Sequence, residues 1–191
     1  MEKETVGFAL CGSFCTFKKV IPQMKKLVDE GYRVIPIMSH IAYSTDTRFG
    51  KAKDFNDEIE EICGEEIIHN ITGAEPIGPK ELLDALIIAP CTGNTLGKLA
   101  NGISDTSVTL ATKAHLRNCR PVIIAVSTND ALGSSAKNIG LLMNSKNIYF
   151  VPMEQDDSIN KPNSIVADFK YIPDIVKEVL AKKVQPQPVL L

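Results

Sequence analysis

Four stretches of the chain gather small hydroxyl, amide and glycine residues of the kind that bind ligands. They are CGSFCT (11–16), SHIAYSTDT (39–47), PCTGNT (90–95) and STNDALGSSAK (127–137). In the first, Gly12 would let the backbone approach a ligand closely, and Ser13 adds a hydroxyl where a helix is expected to start. A helix N-terminus offers unpaired N–H groups and about half a positive charge, which suits a phosphate. A Gly-Ser step at a strand-to-helix turn also serves as plain turn chemistry. In the third, Thr92, Gly93, Asn94 and Thr95 fall within six residues of Pro90. An Asn amide both donates and accepts, as the edge of a heteroaromatic ring requires. Capping of the next helix by Thr92 or Asn94 is the competing reading.

The other reactive residues make no constellation. The five cysteines, Cys11, Cys15, Cys63, Cys91 and Cys119, are odd in number and contain no C-x-x-C pair. Neither a disulfide framework nor a zinc ribbon is indicated. His40, His69 and His115 lie far apart without metal-ligand spacing, so no metal site is expected.

These stretches need a scaffold, and the hydrophobic pattern supplies one. Thr5–Leu10, Tyr32–Met38, Leu86–Ala89 and Val122–Val126 are short apolar runs that read as buried strands, with a further strand near 148–152 and a short extended piece at Glu66–Ile71. Between them lie helical stripes. The first (Phe17, Val20, Ile21, Met24, Leu27, Val28) stops at Gly31, and Pro22 predicts a kink inside it. Helical patterns recur around 55–62, 96–103, 108–116, 136–143 and 172–180. Alternating strands and helices with fully apolar strands predict an α/β, three-layer Rossmann-like fold, mostly parallel, with strand order 3-2-1-4-5-6. In such a fold ligands bind beyond the carboxyl ends of the strands, where all four stretches fall. A single domain over 1–184 is expected, followed by a loose tail, 185–191.

Composition narrows the classes. A 191-residue chain that is 44% hydrophobic and 23% charged, with net charge −2, is ordinary for a globular domain. It has no basic run for nucleic acid and no apolar stretch near the roughly 18–20 residues needed to cross a bilayer. The start, MEKETVGFAL, shows no signal-peptide pattern, so a cytoplasmic location is expected.

The segment APCTGNTLGKLANGISDTSVTLATKAHL (89–116) resembles the asparagine-threonine signature of the flavin-dependent cysteine decarboxylase superfamily, which also contains flavin prenyltransferases. The match runs through Pro90, Cys91, Thr92, Gly93, Asn94 and Thr95 to Ala100, Asn101, Gly102, Ile103 and Asp105. The Gly12-Ser13 turn fits the same pattern, and the resemblance spans about residues 5–180. It implies FMN as cofactor, with Gly12, Ser13, Ser39, Pro90, Thr92, Asn94, Thr95 and Asn129 as binding residues and the phosphate at Gly12-Ser13. It also implies a homo-oligomer built from trimers.

Departures separate the branches. The decarboxylases carry a histidine about fourteen residues before the signature proline, where this chain has Pro76. Of their substrate loop only Asn129 survives, and the chain has no tryptophan. Cysteine decarboxylation is therefore not expected. The remaining resemblance is to a branch of endospore formers acting in sporulation. It implies an oxidoreductase in which a dihydropyridine dicarboxylate is oxidised with a second chain like nicotinamide-dependent dehydrogenases. A prenyltransferase-like enzyme and a non-catalytic assembly module that keeps a flavin pocket are the alternatives. Lys98, Lys113 and Arg117 are candidates to pair with substrate carboxylates, against the reading that each is a solvated helix residue. No catalytic base is assigned.

Overall fold

A computed structural model describes residues 3–191. Seven strands, β1 (Thr5–Leu10), β2 (Arg33–Met38), β3 (Ala85–Cys91), β4 (Val122–Thr128), β5 (Ile148–Phe150), β6 (Met153–Asp157) and β7 (Lys161–Ala167), form one sheet. The order β2-β1-β3-β4 is parallel throughout, and β5 pairs in parallel with the first half of β4. The expected extended piece at 66–71 contracts to one parallel bridge, Ile37 to Ile68. With Ile68 counted as third, the parallel order is the predicted 3-2-1-4-5-6.

The helices are α1 (Phe17–Asp29), α2 (His40–Ser44), α3 (Ala52–Cys63), α4 (Ile71–Ala74), α5 (Gly93–Ala100), α6 (Ser107–Arg117), α7 (Ala136–Met143) and α8 (Ile172–Lys182). α1, α3 and α8 pack together on one side of the sheet and α5, α6 and α7 on the other. That explains why β1 and β3 are buried at every residue: both faces are covered. No helix among the described residues is long and apolar enough to cross a membrane.

Two features depart from the sequence reading. β7 and β6 form an antiparallel hairpin, and β7 pairs with the carboxyl end of β4 at Ser127 and Thr128. Its strands are largely polar and exposed, so they carry no apolar run to announce them. The tail is also not loose. Gln185 Oε1 accepts from the Phe150 N–H at 2.7 Å, Gln185 Nε2 donates to the Phe150 carbonyl at 2.9 Å, and Leu190 bridges to Met153. The physical reason is the unpaired outer edge of β5, whose backbone groups need partners.

Candidate functional site

The turn after β1 is fixed from below. Phe14 and Phe17 lie 5.3 Å apart between ring centres, and Phe17 meets Phe55 edge-on at 5.2 Å. These contacts anchor the 3-10 turn Phe14–Thr16, so Ser13 stands at a defined place above the sheet. There Ser13 Oγ shares a 2.9 Å hydrogen bond with Ser127 Oγ, joining the ends of β1 and β4 across β3.

At the end of β3, Pro90 has no N–H for the ladder, and the register to β4 shifts between Ile88 and Cys91. The Pro90 carbonyl instead accepts from the Cys11 N–H at 3.2 Å. Thr92 is the N-cap of α5 but makes no side-chain cap bond, so the first N–H groups of that helix stay available. Thr92 Oγ1 and Thr95 Oγ1 lie 3.3 Å apart, and Thr95 Oγ1 donates to Cys11 Sγ at 3.2 Å. Burial pushes the Cys11 thiol up to about 11 and that of Cys91 well above its usual range, so neither supplies a thiolate near neutrality.

Two adjoining lobes open on this edge. The smaller, about 350 Å³, is lined by Ser39, His40, Asn94, Thr95 and Lys98. Ser39 caps α2, and Thr106 caps α6 through a reciprocal box with Thr109, so the N-cap residues of three helices, Ser39, Thr92 and Thr106, border it. The larger, about 570 Å³, is lined by Ser13, Ser127, Asn129, Asp130, Lys19 and Lys161 among others. The lobes share Gly12 and Thr92. Asp130 accepts from the hydroxyls of Thr128, Ser134 and Ser135. The Ser134 and Thr128 bonds, with a smaller effect of Ser135, hold its carboxyl below the ordinary carboxylate range.

Seven of the eight residues expected to bind cofactor border these lobes; Pro90 does not, being buried in β3. Ser13 faces the larger lobe, apart from Ser39 and Asn94. The three cations considered for substrate are not gathered here. Lys98 is held by both oxygens of Asp105 at 2.8 and 2.9 Å, and Lys113 and Arg117 line a separate, mostly apolar cleft beside α6.

Pro76 lies in a 3-10 turn that leads to Gly78, which packs on Ala114 of α6. His69 stacks on Tyr43 with ring centres 3.9 Å apart, and His115 is buried with Nε2 donating to the Pro121 carbonyl. His40 is the one histidine lining either lobe. Sequence reasoning missed Lys19, Lys161 and Asp130. Gly93 it read only as part of a motif, although an added Cβ there would lie 2.7–2.8 Å from Asp130 Oδ1, Ser135 Oγ and Thr128 Oγ1.

A doubly covered parallel sheet with hydroxyl-rich loops at its carboxyl edge belongs to a recognised class: residues 1–184 match the flavoprotein family model, and the chain belongs to that family. Within it, the chain is 45% identical over 191 residues to the B subunit of dipicolinate synthase of Bacillus subtilis (strain 168), covering 100% of this chain and 95% of the relative. The crystal structure of the dipicolinate synthase B subunit from Bacillus halodurans C superposes with a TM-score of 0.90 at 45% identity, covering 98% of this chain and 96% of that one. The FMN-dependent cysteine decarboxylase TvaF from thioviridamide biosynthesis gives a TM-score of 0.57 at 25% identity, over 74% and 86% of the two chains.

Proposed function

We propose that this chain binds FMN across the two lobes and serves as the flavin-bearing subunit of a dipicolinate synthase, contributing to the oxidation of a dihydrodipicolinate to dipicolinate. The observation that carries this is the meeting of both lobes at Gly12, where a side chain would stand in the cofactor's path. In this reading the phosphate lies in the smaller lobe, among the N-termini at Ser39, Thr92 and Thr106. It thus moves away from Ser13, which faces the other lobe. Thr92 follows the connecting chain, and Ser13 and Asn129 border the ring. When bound, FMN would supply an acceptor for the two electrons lost as the dihydro ring becomes aromatic.

The residues around it bind and orient. Asp130 is committed as an acceptor to three hydroxyls, and the buried thiols stay protonated, so neither serves as a mobile base. A second, dehydrogenase-like chain, implied by the resemblance, is part of the proposal, as is a homo-oligomer built from trimers in the cytoplasm. Light scattering on the purified chain is expected to give a multiple of three protomers; a monomer would remove that element. The central test is reconstitution. Each chain alone and both together are assayed for dipicolinate formation, with flavin uptake followed by visible absorbance. Flavin uptake with activity only in the mixture is expected. Activity of the mixture without any flavin would leave this chain as a non-catalytic assembly module.

A further inference from the structure

The larger lobe is lined by two lysines, Lys19 and Lys161, and two aspartates, Asp130 and Asp156. Its two carboxylates have partners within the protein: Asp130 accepts from three hydroxyls, and Asp156 Oδ2 lies 2.7 Å from Lys161 Nζ. Its donors are in surplus. Lys19, in the first turn of α1, forms no ion pair among the described residues, although it lines this lobe. Lys161, at the start of β7, keeps two of its three ammonium donors after the bond to Asp156. The two lysines come from opposite elements, one from the α1 side and one from the hairpin laid over β4. Ammonium donors left free at two places, beside carboxylates that already accept from within the protein, offer two charge-assisted bonds to a small molecule bearing two carboxylates.

We propose that Lys19 and Lys161 form the dicarboxylate-recognition pair of this site, each receiving one carboxylate of a small planar dianion, with Asp156 positioning the Lys161 ammonium over the lobe. This rests on the larger lobe being the substrate side of the proposed flavin site. It departs from the candidates suggested by sequence, because Lys98 borders the smaller lobe while Lys113 and Arg117 face another cleft. Nothing in the pattern around Lys161 marked it, since its placement depends on a hairpin of polar strands.

The test is titration of the full-length, FMN-loaded chain with pyridine-2,6-dicarboxylate and, separately, pyridine-2-carboxylate, read by calorimetry. Lys161→Gln and Lys19→Gln should each weaken the dicarboxylate about tenfold, the scale of one lost charge-assisted bond. One of the two should leave the monocarboxylate nearly unchanged, and Lys161→Arg should keep most of the dicarboxylate affinity. Flavin affinity should stay within about twofold throughout, which also reports that the variants fold. Wild-type dicarboxylate affinity in both Gln variants would overturn the inference, as would a wild type that fails to prefer the dianion. If the chain takes up no FMN, the flavin reading fails on its own. The same lysine dependence must then appear with the flavin-free full chain, or this inference fails as well.

Discussion

A methyl group on Gly12 would meet Ile41 Cγ2 at 3.4 Å and Phe14 Cε2 at 3.6 Å, ordinary contacts that the fold could absorb. Its backbone is not in the left-handed region either. The missing side chain therefore keeps space free rather than relieving the protein's own packing. Gly12→Ala is expected to weaken flavin uptake while keeping the wild-type melting temperature within a few degrees, checked by absorbance and thermal denaturation together. Gly93 is the reverse case, because its Cβ would intrude among three oxygens already bonded to one another. Gly93→Ala should cost about 1–3 kcal/mol of stability, measured by denaturant unfolding. Sequence spacing placed both glycines in binding loops, since strand-following loops are readable from apolar runs. It could not tell an open glycine from a crowded one, because the crowding atoms lie far along the chain in Thr128, Asp130 and Ser135.

The hairpin and the tail show where pattern reading stops. β1 through β5 announce themselves because two covered faces demand unbroken apolar runs, and the helices α1, α7 and α8 because one face must be apolar. β6 and β7 sit at an edge and are held by backbone pairing that any polar sequence can supply. The tail has no periodicity, yet Gln185 imitates a neighbouring strand by offering Phe150 both an acceptor and a donor. Gln185→Ala should therefore destabilise the protein by about 1–3 kcal/mol through the unpaired groups it leaves behind. A conservative Gln185→Asn, too short to reach both groups, should recover little. Unfolding curves of the two variants check this, and wild-type stability in both would mean that the tail merely rests on β5.

For the molecule as a whole, acid stability turns on His115, inside the helix layer that carries α6. Burial lowers its pKa to about 4 from the usual 6.5, with the bond to the Pro121 carbonyl opposing the shift. The folded state thus holds the ring neutral, while the unfolded chain takes up a proton as pH drops below about 6.5. Stability contributed by the neutral ring is present at pH 7 and is lost progressively down to about pH 4, by roughly 3 kcal/mol in all. His115→Gln should flatten that part of the stability profile, and an unchanged slope between pH 4 and 6.5 would assign it elsewhere. At neutral pH the proposed flavin site predicts an order among flavins, because its two lobes meet at Gly12 and Thr92. FMN, with a ring at one end and a phosphate at the other, would pass Gly12 and Thr92 in crossing from one lobe to the other. Riboflavin has the ring and the stem but no phosphate, and should slip out more easily than FMN. FAD has a far end too large for a lobe of about 350 Å³, and should be turned away. Competition among the three flavins would therefore read the outline of the cleft directly, as a gauge reads a thread.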